Sequence, residues 1–270
     1  RVGRSPRRCP AHQGDHHHHT GDPVTATMTP HPVAQARPTV PARARDRFYL
    51  AAALVMLVVV FAGFAPTFFL REAFGGPELP WWLVGHGVGQ TAWFAALAAQ
   101  AALVQSRRVS WHRWLGWATV AIAVLTIATT PVVILRSVPR GLAIGLTAIE
   151  VSFVVMVNVL RLPFFTAMLG LAVWKRRQRE THARALLLAS LSNFTPAFTR
   201  LGKQLGVGPL TGAVLLVVVC AAAMVVHDRR ALGRVHPVTR GGIIALALML
   251  VIPIGIVMAG GATPIVEALR

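Results

Sequence analysis

Four side chains with chemistry to offer stand on one stripe of a single apolar segment. Between Pro80 and Val104, His86, Gln90, Trp93 and Gln100 fall at offsets of 0, 4, 7 and 14. At about 100° per residue, that spacing keeps all four within about 40° of one line along a helix. An imidazole or amide facing lipid is costly, so the stripe is expected to face a bundle interior or a cavity. There His86 can serve as an axial ligand, a proton carrier or a binder of a quinone-like head group, with Gln90 fixing its tautomer one turn deeper. The competing reading is interhelical hydrogen-bond glue, worth about 0.6 kcal/mol per group. Gly85 and Gly89, beside the stripe, form a small-xxx-small pair that favours close helix approach.

Three more histidines sit in a weak internal repeat. VQSRRVSWHRWLGW, VWKRRQRETHARALL and VHDRRALGRVHPVTRGG each pass from a span end through an Arg pair to one His, then to another Arg and the next apolar run. If the hairpins bring His112, His182 and His236 to one face, the three imidazoles suit a haem b, a transition metal or a proton relay. Otherwise they are interfacial residues carried along with the arginine pairs.

Arg161, in VMVNVLRLPFF, is the one basic residue deep within an apolar segment. It can pair with Glu150, snorkel to an interface or contact an anionic ligand, and snorkelling is the expectation. In the ligand-binding reading, Gln90, Trp93 and Arg161 line a cavity with His86. In ALLLASLSNFTPAF, Ser190, Ser192, Asn193 and Thr195 are expected to satisfy carbonyls freed by Pro196. Other chemistry is missing: there is no phosphate-cradling glycine loop, no Gly-x-Ser-x-Gly, no His-Glu-x-x-His and no carboxylate pair. Glu72, Glu78, Glu150, Glu180 and Glu267 are scattered near span ends, which disfavours a proton-driven pump. Cys9 and Cys220 are too differently placed to pair, and Cys220 reads as a small packing residue.

The elements that must position these groups are membrane spans. The 270 residues are 54% apolar and only 13% charged, against the roughly 25% charge of a soluble domain. A span needs about 20 predominantly apolar residues. Seven segments qualify, at 48–70, 80–104, 115–135, 151–174, 183–199, 208–226 and 241–262. The apolar stretch 141–158 could add a re-entrant segment, but no polar turn separates Asn158 from Phe164, so one span is assigned there. Trp81, Trp82, Trp111 and Trp114 flank spans as an aromatic belt should.

The formal charge of +18 would suit nucleic acid only if it formed a soluble basic patch. Instead the arginines lie between apolar runs. Placing the N-terminus in the cytoplasm puts 20 of the 27 Lys and Arg residues, Arg184 among them, on the inner side, and puts the C-terminus outside. The partner implied is the lipid bilayer, with no nucleic acid. Residues 1–47, rich in Arg, His and Pro, read as a disordered basic tail. Met28 is a credible start, so 1–27, including the run His16 to His19, is set apart from the native chain. The expected fold is an all-α polytopic bundle of about seven helices, with one transmembrane domain over 48–265.

The segments RFYLAAALVMLVVVFAGFAPTFFLR, HGVGQTAWFAALAAQAALV, SWHRWLGW, ETHAR and GRVHPVT, in this order and spacing, resemble a family of uncharacterised bacterial seven-helix membrane proteins across roughly 46–265. The resemblance implies that topology, a multi-pass place in the bacterial inner membrane, and attention to the same four histidines; it carries no activity. In that family a second His stands two residues before the position of His86, and a His-Lys-Arg-Leu-Met run begins at that of His182. Here those places hold Val84 and Ala183-Arg184-Ala185-Leu186.

Three functions suit these residues. The first is a haem- or metal-associated redox protein using His86, His112, His182 and His236. The second is a small-molecule transporter or sensor lined by His86, Gln90 and Arg161. The third is a structural or assembly protein without a cofactor.

Overall fold

A computed structural model describes residues 42–268; Cys9, Met28 and the His16 to His19 run lie outside them. The chain is all-α: α1 (Ala42–Phe64), a π-helical turn (Ala65–Phe69), α2 (Trp81–Gln105), α3 (Val109–Ala143), α4 (Ala148–Trp174), α5 (Arg179–Gln204), α6 (Pro209–Leu232), α7 (Pro237–Met258) and a short α8 (Ala262–Ala268). Six of these, α1 to α4 with α6 and α7, are long and apolar enough to cross a membrane.

Local chemistry accounts for the boundaries. Pro66 lacks an N–H and crowds the preceding turn, so the end of α1 widens into the π turn closed by Leu70 N–H donating to Ala65 O at 2.8 Å. Thr147 and Glu150 form a reciprocal capping box that starts α4. The apolar stretch 141–158 is thus the end of α3, a short turn and the first turns of α4, with no extra membrane segment. α3 runs on past the expected limit at residue 135 through Pro131 and Pro139 to Ala143. α1 begins at Ala42, ahead of the expected limit of the tail at residue 47, and Asp46 in its first turns forms an ion pair with Arg179.

The fifth expected span departs most from the reading of the sequence. α5 is helical through the predicted 183–199 but carries Arg179, Glu180, Arg184, Arg200 and Lys203, and it is not one of the six apolar helices. It nonetheless packs against α1, α4, α6 and α7, and its residues from Arg184 to Asn193 are almost all buried. Neighbours rather than lipid are its solvent.

Contacts fix the helix directions. His86 meets Thr129 and Gln100 meets Thr119, so α2 and α3 are antiparallel. A short turn returns α4 parallel to α2. Asp46 meets Arg179 while Gln204 donates to Gly63 O at 3.1 Å, so α1 and α5 are parallel. The turns at 106–108, 175–178 and 233–236 therefore share one end with the start of α1. Arg107, Arg108, Lys175, Arg176, Arg177, Arg229, Arg230 and Arg234 all cluster at that basic end. Exposed Trp111, Trp114, Trp117 and Trp174 ring it, and exposed Trp81 marks the other end.

The core centres on α5: Trp93 and Phe94 of α2, Phe165 and Leu169 of α4, and Leu187, Leu188, Leu191 and Phe194 of α5. Two glycines permit this packing. A methyl on Gly63 would collide with the Ala197 carbonyl oxygen, and one on Gly242 with Leu188. The expected close approach at Gly85 and Gly89 holds at Gly89 alone, which faces Thr126 Oγ1; Gly85 meets open space. Cys220 is free and packs beside the core.

Candidate functional site

The polar stripe of α2 faces inward, as its spacing requires. His86, Trp93 and Gln100 are buried and Gln90 is half-buried. Its partner is a threonine stripe on α3, namely Thr119, Thr126, Thr129 and Thr130. Thr129 Oγ1 lies 3.0 Å from Leu125 O, to which it donates, and accepts from His86 Nδ1 at 3.1 Å. That assignment leaves His86 Nε2 as an acceptor for Gln90 Nε2–H at 3.4 Å. A Thr129 hydroxyl engaged with the α3 backbone favours the tautomer with its proton on Nδ1. Gln90 Oε1 and Thr126 Oγ1 are buried without a hydrogen-bond partner among the described residues.

Trp93 closes the stripe on the side of the core. Its indole N–H donates to Ser190 Oγ of α5 at 3.2 Å, and its ring meets Phe165 of α4 edge-on at 5.1 Å. Arg161 stands one turn before Phe165 on the same face of α4. Gln90 stands one turn before Trp93 on the parallel α2, so Arg161 and Gln90 occupy the same level of the bundle.

Arg161 neither snorkels nor pairs with Glu150, as two of the expected fates required. Only 6% of its surface is exposed, and Glu150 is committed to Thr147. Residue 161 is the midpoint of α4, about 20 Å from either end at 1.5 Å per residue, too deep for its side chain to reach an interface. No hydrogen bond or ion pair among the described residues engages its guanidinium. The other carboxylates of the described residues are not free to pair with it: Asp46 pairs with Arg179, Glu72 with Arg71, and Glu180 and Asp228 with Arg184, while Glu78 and Glu267 are exposed.

Arg184 is the contrasting case. Expected as an inner-loop charge, it is fully buried near the basic end. Asp228 Oδ1 accepts from its Nε at 2.8 Å and its Nη2 at 2.5 Å, and Glu180 Oε2 accepts from Nη1 at 2.5 Å. Asp228 Oδ2 accepts from the His236 backbone N–H at 2.8 Å. The bundle therefore holds a carboxylate pair that spacing did not reveal, and it serves to bind α5 to α6 and α7. Nearby, Phe48 of α1 stacks on His227 at 4.0 Å.

The structure pairs two of the three loop histidines and leaves His86 apart in the other half, as its place on α2 implies. His112 and His182 come together, their rings 6.4 Å apart, with His182 Nδ1 at 2.9 Å from Ala172 O. His236 caps α7, its Nδ1 accepting from Val238 N–H at 3.2 Å. His86 lies nineteen residues from the basic end of α2, about 29 Å away. No three His, Cys, Asp or Glu side chains gather as a metal site among the described residues.

Ser190, Ser192, Asn193 and Thr195 do not rescue the carbonyl freed by Pro196, which belongs to Ser192. Ser190 and Ser192 instead donate to Leu186 O and Ala189 O, and Asn193 Nδ2 is buried without a hydrogen-bond partner among the described residues. The α3 threonines and Asp228 are the site residues that sequence reasoning missed. The threonines had a signal, since 119, 126 and 130 recur at seven and four residues in an apolar run. Asp228, beside two arginines, had none.

An apolar groove of about 270 Å³ lies between the π turn and the other face of α2, lined by Phe68, Phe69, Val88, Thr91, Ala92 and Ala95. The polar stripe does not open into it. Compared with family models, curated proteins and solved structures, the chain matches none, so the resemblance to a seven-helix family gains no support from these comparisons. Fold and site together define a polytopic membrane protein with a buried cluster of His, Gln and Thr side chains.

Proposed function

We propose that this protein is a transporter or sensor of a small molecule, which binds at mid-bundle between α2 and α4 against His86, Gln90 and Arg161, with Trp93 as one wall. One observation carries the reading. Among the described residues Arg161 is a buried cation with no counter-charge, set level with a hydrogen-bonded His86–Gln90 pair whose amide oxygen lacks a donor. A buried ionisable group is expensive in a membrane and is retained where it meets a substrate or ion. A purely structural seam would need only the threonine and amide partners. In this reading the chain crosses a bacterial inner membrane seven times, with α5 as the shielded crossing and the basic end in the cytoplasm.

The test is a thermal-melting screen of the purified, detergent-solubilised protein against neutral, cationic and anionic small molecules. A ligand-dependent upward shift that His86→Ala abolishes is expected; an unchanged response in that variant counts against the site. A second reading, a haem- or metal-associated redox protein, draws on the His112–His182 pair. A Soret band or stoichiometric metal in the same sample supports it, and a colourless, metal-free sample removes it.

A further inference from the structure

Resting on that binding site, the chemistry of its unsatisfied groups narrows the ligand. Arg161 offers N–H donors and a positive charge that no described residue neutralises. Gln90 Oε1 offers a buried acceptor with no donor. With Gln90 Nε2 set on His86 Nε2, as the structure has it, Oε1 is the amide atom left without a partner. The ligand must therefore bring a negative charge for Arg161 and a separate O–H or N–H for Gln90.

A halide supplies the charge but no donor. A simple carboxylate such as acetate does the same, and leaves the amide oxygen as orphaned as before. A cation is repelled, and a neutral polyol leaves the guanidinium uncompensated in a medium where burying an unpaired charge is costly. Thr126 Oγ1, buried and unpartnered on the facing helix beside Gly89, can turn its hydroxyl to donate or accept. Depth excludes a lipid phosphate as the anion, since Arg161 is about 20 Å from both ends of α4.

We propose that the site between α2 and α4 takes a small oxyanion that carries its own O–H group, of the bicarbonate or 2-hydroxycarboxylate class. The oxyanion faces Arg161, and its hydroxyl donates to Gln90 Oε1. Planar oxyanions match the guanidinium fork with two parallel N–H···O bonds, which a spherical ion cannot do.

The experiment measures melting temperature and apparent affinity of the full chain in lipid nanodiscs at pH 8, titrated with glycolate, bicarbonate, acetate, chloride and glycerol. Glycolate and bicarbonate are expected to raise the melting temperature in a saturable way. Acetate should bind at least ~10-fold more weakly, the worth of a buried amide left unpaired, and chloride and glycerol should have no saturable effect. Arg161→Met should remove the response to every anion, and Gln90→Leu should bring glycolate down to the acetate level. If Arg161→Met does not fold, the Gln90→Leu comparison decides alone. Equal binding of acetate and glycolate to the wild-type protein overturns the proposal, as does a Gln90→Leu protein that still discriminates between them. A neutral or cationic ligand that binds in a His86-dependent way, with no anion doing so, overturns this proposal and leaves the binding-site reading standing. Failure of every class of ligand sinks both.

Discussion

Replacing Asp228 by alanine should be among the most damaging single changes in the bundle, and the structure says by how much. The Asp228 and Arg184 side chains are each 1% exposed. Asp228 accepts two N–H bonds from Arg184 and one from the His236 backbone. Removing one partner of a buried pair costs about 3–5 kcal/mol, because the other charge is left without compensation. Here Glu180 stays on Arg184 from the same helix, so the lower end, about 3 kcal/mol, is expected. At roughly 2–4 °C per kcal/mol for a chain of this size, the melting temperature should fall by about 6–12 °C. Tryptophan fluorescence during thermal unfolding in detergent measures it. Glu180→Gln is the control: that carboxylate is 29% exposed on its side chain and should cost below about 1 kcal/mol. The double variant Arg184→Met, Asp228→Leu should recover most of the loss, since apolar pairs replace buried ion pairs at little or no cost. Asp228→Ala within about 1 kcal/mol of wild type, or no milder in the double variant, would refute the argument.

Two other outcomes follow from named contacts. Burial, and then the charge of Arg184, hold the His236 imidazole below its ordinary 6.5, and its neutral Nδ1 is the acceptor that caps α7. The folded form therefore binds fewer protons than the unfolded one, so stability is complete above about 6.5 and falls as pH drops below it. The loss should reach about 1 kcal/mol, the worth of a cap; His236→Asn, which caps without titrating, should flatten the profile, and an unchanged slope in that variant would remove the assignment. Gly63→Ala must push α1 off the Ala197 carbonyl and should cost about 1–3 kcal/mol, whereas Gly85→Ala, with open space around it, should be neutral or slightly stabilising. Equal melting temperatures for the two alanine variants would show that α1 and α5 are not in that contact.

Much of the architecture was legible because lipid simplifies the code. Apolar runs of about 20 residues locate α1 to α4, α6 and α7, and the period of 3.6 alone turned His86, Gln90, Trp93 and Gln100 inward. What escaped was whatever depended on partners distant in sequence. Arg184 reads as one more loop arginine until Asp228, forty-four residues on, is placed beside it. Arg161 reads as a snorkelling residue because sequence gives no depth. Its position at the middle of α4 follows only once Thr147 and Glu150 are known to start that helix. Three histidines in similar loops look equivalent, but α7 begins at Pro237, so His236 becomes a helix cap while His112 and His182 meet.

The polarity of α5 also bears on how the protein is made. A helix bearing Arg184 has little reason to leave an aqueous channel for lipid by itself, and its chief counter-charge is not yet synthesised when it emerges. At about 5–20 residues per second, the forty-four residues separating Arg184 from Asp228 amount to roughly 2–9 s of waiting. During that interval Glu180, one turn away on the same helix, is the escort already in hand. α5 should therefore settle late, slotting among neighbours already in the membrane. A truncated chain ending before Asp228 should be held at the insertion machinery or degraded instead of released into the bilayer.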